Sequence, residues 1–159
     1  MYPDVVDNYP MTEDDIHLGA PSFANFSYGS TKRSLSIGID AYNNQYKTKY
    51  NYLIPCNLYG EYDHFDDPEK CHFITALIRK IIDAENNGED SIELFGTGKP
   101  LRQFMHASDL ARTIKLVVDS DITESFNVAT SEENSINTMA EITLNVLNSN
   151  LKINYNTDK

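Results

Sequence analysis

The apolar residues of this chain change period several times along its length, and that alternation limits the possible folds more than any other feature. From Phe73 to Ala84, Ile74, Leu77, Ile78, Ile81 and Ile82 recur at helical spacing on one face. Ser91 to Phe95 is a strand-like run stopped by the turn Gly96-Thr97-Gly98-Lys99-Pro100. Ser108 or Asp109 can cap a third helix through Val118, Phe126-Asn127-Val128 reads as a strand, and Ile136 to Leu147 as a fourth helix. Leu151 to Tyr155 then reads as a bare strand. Strands alternating with helices of roughly ten to twenty residues predict an α/β arrangement with a largely parallel sheet.

Upstream of this pattern, Leu35, Ile39, Tyr42 and Tyr46 recur at spacings of four, three and four, which predicts a helix over 28–46 with these residues as its buried stripe. Tyr50 to Ile54 is β-rich and closed by Pro55, and a polar loop is expected from Asn57 to Lys70. The first twenty-odd residues carry Pro3, Pro10, Gly19 and Pro21 and read as an irregular loop. No repeat or linker divides the chain. Both ends read as cut, with an active-site-like loop at the start.

Charge narrows the partners. Thirteen Lys and Arg stand against 24 Asp and Glu among 159 residues, a formal net charge of -11 that repels phosphate backbones and anionic membrane surfaces. Nucleic acid and membrane are therefore not expected partners, and a phosphate-bearing ligand needs a local basic cluster. No apolar run approaches the roughly 18 residues of a membrane span. Ten Tyr and seven Phe supply bulk for a core. Cys56 and Cys71 are too few for a disulfide framework and lack metal-ligand pairing. With no secretory signal at Met1 to Asp7, the expected compartment is the cytoplasm, and the sequon Asn25-Phe26-Ser27 reads as coincidental.

Few residues carry chemistry. Tyr28 and Lys32, four apart at the start of a helix, project from one face. An ammonium beside a phenol favours the phenolate, the requirement for a Tyr acid or base near neutral pH. Tyr155 and Lys159 repeat the spacing at the tail, so spacing alone leaves an exposed first turn as the plain alternative. The stretch Asp63 to His72 is rich in ligand-type side chains. It lacks both a His pair at helical spacing and the order of a calcium loop, so a solvated loop and no metal is expected. His72 opens the following helix, where a His can serve as acid or base or simply cap the helix. Gly96-Thr97-Gly98-Lys99 has no dinucleotide or nucleoside-triphosphate continuation. It is read as a turn bringing Lys99 and Arg102 to the carboxyl end of a strand, with Arg102 either a phosphate clamp or a surface charge.

Taken together, Tyr2-Pro3, Tyr28-Gly29-Ser30-Thr31-Lys32, Ile54-Pro55-Cys56-Asn57-Leu58-Tyr59-Gly60-Glu61-Tyr62-Asp63-His64-Phe65, His72 with Ala76-Leu77-Ile78-Arg79-Lys80, and Phe95-Gly96-Thr97-Gly98-Lys99-Pro100-Leu101-Arg102-Gln103-Phe104 form an ordered series. This series resembles the GDP-L-fucose synthases, the 3,5-epimerase-4-reductases of GDP-4-keto-6-deoxy-D-mannose among the extended short-chain dehydrogenase/reductases. The resemblance implies a partial Rossmann-type fold: the C-terminal part of the parallel sheet plus the small substrate-binding domain. In that frame 1–60 is the remainder of the cofactor domain and 61–159 is mainly the substrate-binding portion.

The resemblance also implies roles. Tyr28 would give a proton to the 4-keto oxygen during reduction by NADPH, with Lys32 tuning Tyr28 and bonding the nicotinamide ribose. Pro55, Asn57 and Leu58 would line the nicotinamide end with His72, and His72 would be the acid of C3 and C5 epimerisation. Lys80, Phe95 and Arg102 would hold the GDP-sugar, Phe95 standing where Trp is common and Lys80 where Arg is common. Subunits of this family pair through helices, which implies a homodimer using the Tyr28 helix. The Gly-rich dinucleotide turn and the family's Ser and epimerisation Cys, which precede the position of Tyr2, have no counterpart here, so the chain reads as a middle and C-terminal portion. A non-catalytic GDP-sugar-binding module, or part of another sugar-nucleotide epimerase or dehydratase, are the alternatives.

Overall fold

The computed structural model describes residues 1–6, 9–66 and 71–158. In chain order its elements are α1 (Phe26–Tyr46), β1 (Leu53–Pro55), β2 (Asn57–Tyr59), α2 (Phe73–Asn87), β3 (Ser91–Phe95) and β4 (Leu101–Arg102). They continue with β5 (Phe104–His106), α3 (Ala107–Asp119), β6 (Phe126–Val128), β7 (Asn134–Ser135), α4 (Ile136–Val146) and β8 (Lys152–Asn156). Three strand pairs are parallel (β1 with β6, β2 with β5, β3 with β8) and one, β4 with β7, is antiparallel. The expected α/β architecture with mainly parallel pairing is present. Residues divide into two units, Met1–Pro55 with Arg112–Val128, and Cys56–Ala111 with Ala129–Lys159.

In the first unit the N-terminal segment is more ordered than a Pro-rich loop suggests. Glu13–His17 form a short 3-10 helix with a capping box between Thr12 and Asp15, and Ile16 is fully buried. Pro3 bridges to Pro21, and Arg33 on α1 donates to the carbonyls of Met1 and Gly19. Gly29 is required here: a Cβ at this position would lie 2.8 Å from Pro21 Cβ, so only glycine lets the segment approach α1 so closely. The face of α1 turned to this segment is therefore small and polar, with Gly29 and Ser36 buried. That reverses the expected stripe: Leu35, Tyr42 and Tyr46 are each more than half exposed and Ile39 is only half-buried. Periodicity locates an apolar face but does not say what covers it.

The second unit holds the main core. Leu77, Ile81 and Ala84 of α2 pack with Ile92 and Leu94 of β3 and with Ala140 and Leu144 of α4. The α2 stripe is buried as expected at Ile74, Leu77 and Ile81, while Ile82 is 45 % exposed. Strand β3 alternates, with Ile92 and Leu94 inward and Glu93 and Phe95 outward. The terminal strand is not bare, because β8 pairs with β3 from Ser91↔Lys152 to Phe95↔Asn156 and the Tyr155 hydroxyl donates to Asn137 Oδ1. Tyr155 is thus part of a paired strand.

Three further expectations change. The polar stretch after Pro55 contains β2, because Asn57, Leu58 and Tyr59 find parallel partners in Phe104, Met105 and His106; Asp67 to Lys70 of that stretch lie outside the described residues. Pro55 is the last residue of β1 rather than a residue beyond it. Helix α3 starts at Ala107, so neither Ser108 nor Asp109 precedes it; instead His106 Nδ1 accepts from the Ser108 backbone N–H at 3.2 Å. Among the described residues no helix is long and apolar enough to cross a membrane.

Candidate active site

Tyr28 and Lys32 occupy the first turns of α1 in the first unit. One helical turn brings the Lys32 ammonium over the Tyr28 ring, 5.6 Å from its centroid, so charge and phenol share one face. Tyr28 is 62 % exposed, which leaves its hydroxyl accessible to a ligand. Pro55 is exposed at the carboxyl end of β1, the end of a parallel strand where α/β folds place ligands.

The second unit carries the other expected residues. The Asn57 amide donates to the Gln103 carbonyl at 3.0 Å, and Leu58 is half-buried opposite Met105. His72 is the residue just before α2, in extended conformation (φ -73, ψ 164), with its side chain 70 % exposed. Lys80, one turn into α2 beyond Ala76, donates to the Glu93 carbonyl at 2.7 Å and lies 5.3 Å from the Phe95 ring centroid. Period 2 in β3 sends Phe95 outward on the same side as Glu93, which is how the strand presents this ring to the helix cation. Both line a cavity of about 890 Å³, with Cys71, Arg79 and Asp83 also on its wall. Arg102 is exposed on β4, where its guanidinium donates to the Leu101 carbonyl at 2.7 Å. It is not among the residues lining that cavity.

Two features were not singled out by sequence reasoning. Arg79 lies beside Lys80 on the cavity wall, where it pairs with Asp83 at 3.3 Å, and the adjacent Arg-Lys pair was the available signal. Asp63 is the other. Its carboxylate accepts from the Thr75 hydroxyl and from the His64 backbone N–H at 2.8 Å, and both its oxygens lie 3.1 Å from His72 Nδ1. The Thr75 hydroxyl foremost, then the His72 and His64 contacts, outweigh burial and hold the carboxyl down to about 2, from an ordinary 3.8.

A value lower in the folded chain than in the unfolded one stabilises the fold at every pH above about 4, and this stabilisation fades as the pH falls toward about 2. Asp63→Asn is therefore expected to cost about 1–2 kcal/mol at neutral pH and markedly less near pH 2. Urea melts at the two pH values check this, and equal losses would break the link to ionisation.

Comparison with known proteins adds the wider context. A model of the NAD dependent epimerase/dehydratase family matches residues 1–129. A GDP-L-fucose synthase from Dictyostelium discoideum is 39% identical over 112 residues, 70% of this chain and 34% of that protein. A GDP-L-colitose synthase from Yersinia pseudotuberculosis is 33% identical over 151 residues, 92% of this chain and 48% of that protein. The crystal structure of a GDP-L-fucose synthetase from Naegleria fowleri bound to NADP superposes with a TM-score of 0.89 at 32% identity, covering 99% of this chain and 51% of that one. The chain thus spans from about a third to about half the length of these proteins.

Proposed function

Because the chain belongs to the NAD dependent epimerase/dehydratase family, we propose that it forms the substrate side and the Tyr-Lys pair of an NADPH-dependent epimerase and reductase that converts GDP-4-keto-6-deoxy-D-mannose to GDP-L-fucose. The observation that carries this reading is the cavity wall of Lys80, Arg79 and Phe95. The Lys80 ammonium against the outward Phe95 ring, with Arg79 beside it, suits a diphosphate joined to a purine, on a wall that also carries Asp83, Glu89 and Glu93.

Tyr28 and Lys32 are assigned to one end of the cofactor by their chemistry. An accessible phenol with an ammonium over its ring offers two donors to a ribose and a carbonyl, and Pro55, Asn57, Leu58 and His72 are the proposed lining of the nicotinamide end. Bound NADPH would supply hydride to C4 of the sugar. Tyr28 gives its proton to the oxygen on C4, and Lys32 bonds the ribose and steadies the negative charge left on the phenol. His72, accessible before α2, returns a proton to the ring carbon during epimerisation at C3 and C5. Arg102, exposed on β4 and off that cavity wall, is assigned as a further cation for the GDP-sugar. In this reading 1–60 serves the cofactor and 61–159 mainly the GDP-sugar, in a cytosolic compartment where Cys56 and Cys71 remain thiols.

Calorimetric titration with GDP, together with NADPH oxidation in the presence of the 4-keto sugar, tests the reading. GDP is expected to bind, and Lys80→Ala and Phe95→Ala are each expected to weaken it about tenfold, or roughly 1.4 kcal/mol. Absence of both GDP binding and turnover would overturn the assignment, whereas GDP binding without turnover would leave a GDP-sugar-binding module.

The same reading makes the exposed α1 face, with Leu35, Tyr42 and Tyr46, the surface that meets a second copy of the chain. Tyr42 and Tyr46 already contact one another with ring centroids 5.0 Å apart, so the face presents an aromatic pair. Tyr42→Arg is expected to halve the mass in solution by placing like charges across the two-fold axis. An unchanged mass in light scattering would remove α1 from the interface.

A further inference from the structure

We propose that Asp63 is the positioning residue of His72, holding the proton on Nδ1 so that Nε2 is the nitrogen presented to the sugar. The inference deepens the proposed function and rests on His72 being the proton-exchanging group.

The geometry is that of a fixed acceptor in front of one ring nitrogen. Both Asp63 oxygens lie 3.1 Å from His72 Nδ1, and the carboxylate is itself held from two other directions by the Thr75 hydroxyl and the His64 backbone N–H. The Asp63 side chain is only 11% exposed, and Thr75 is buried at 2%, so this anchor is locked into the first turn of α2. The imidazole, by contrast, is 70% exposed and no other residue fixes its Nε2 among the described contacts. An ionised carboxylate can only accept, so the ring nitrogen facing it must carry hydrogen. In a neutral ring that leaves the lone pair on Nε2, so a proton taken up there is the one aimed at the sugar and delivered to the ring carbon. The same contact holds the ring plane, which a side chain exposed to this degree would otherwise lose to rotamer freedom.

A purely structural role predicts something different. If Asp63 only complements the α2 N-terminus, its bond to Thr75 suffices and the imidazole is indifferent. An exposed, unpositioned neutral imidazole favours hydrogen on Nε2, so the tautomer separates the two roles.

The test is ¹⁵N NMR of histidine-labelled chain at alkaline pH, where the ring is neutral, on the wild type and on Asp63→Asn. The wild type is expected to show Nδ1–H with an unprotonated Nε2, and Asp63→Asn to shift the balance toward Nε2–H, because an amide can offer either a donor or an acceptor to the ring. Nε2–H as the major form in the wild type overturns the proposal, and so does a folded Asp63→Asn chain with an unchanged tautomer. The wild-type spectrum alone decides the matter if the variant does not fold. Solvent-deuterium incorporation at C3 and C5 is the second readout, expected to fall about tenfold or more in Asp63→Asn. An Nδ1–H tautomer in a wild type that incorporates no deuterium would sink the role of His72 and leave the positioning intact, so the two failures are distinguishable.

Discussion

Tyr28→Phe is expected to lower NADPH-dependent reduction of the 4-keto sugar by about 10²–10⁴-fold while epimerisation continues. The substitution removes one hydroxyl and nothing else. The ring that the Lys32 ammonium covers at 5.6 Å remains, so the cation stays in place. Tyr28 is 62 % exposed, so losing its hydroxyl leaves no buried partner unsatisfied and the fold should be unaffected. The defect should then appear in kcat, with GDP affinity unchanged, because Lys80 and Phe95 lie on other elements, α2 and β3. Deuterium would still enter at C3 and C5 through His72. Steady-state NADPH oxidation and mass spectrometry of the recovered sugar measure the two steps separately. Reduction at the wild-type rate would take the proton donor's role away from Tyr28, whatever the affinity for GDP.

Lys32→Met separates the partners within this pair only partially, since it removes both the charge over the ring and a proposed ribose contact. Tyr28 is the cleaner probe for that reason. The same logic explains why the pair could be noticed in the sequence: residues four apart on a helix meet by geometry, whatever the rest of the chain does. Signals of that local kind also account for α2, β3, β6 and α4, each of which carries its own periodicity or turn punctuation. Strands β2, β4, β5 and β7 have only two or three residues each, too few for alternation to be visible. They exist because a partner distant in sequence supplies the ladder, as when Asn57 meets Phe104.

Helix α1 shows a different limit. Its apolar stripe was legible, yet the residues that pack inward are Gly29 and Ser36, selected by how closely the Pro21 segment approaches. Pattern identifies a face, and only contacts identify its cover. The site divides in the same way. Lys80 and Phe95 come together on an ordinary helix and strand. Asp63 was visible only as one acid in a stretch of ligand-type side chains. Nothing in a polar loop indicates which carboxylate will face His72, because a turn and the first turn of α2 together make that choice.

The core beneath the cavity gives the other large expected effect. Ile81 is fully buried, one residue after Lys80, among the α2, β3 and α4 side chains that include Ile92, Leu94, Ala140 and Leu144. Ile81→Ala removes three carbons from a packed interior and is expected to cost about 3–4 kcal/mol, the transfer free energy plus that of the cavity left behind. Against a total of roughly 5–15 kcal/mol for a domain, such a loss is a large fraction. It should lower the urea midpoint strongly with little change in slope. The consequence reaches the site because α2 carries Lys80 as well as Ile81: when this helix loosens, the ammonium no longer stays between the Glu93 carbonyl and the Phe95 ring. GDP affinity should therefore fall with stability in Ile81→Ala, whereas Lys80→Ala should weaken GDP binding with little change in the urea midpoint. A loss below about 1 kcal/mol for Ile81→Ala would mean that α2 is not packed on β3 and α4 as described, and the cation–ring pair would lose its structural support.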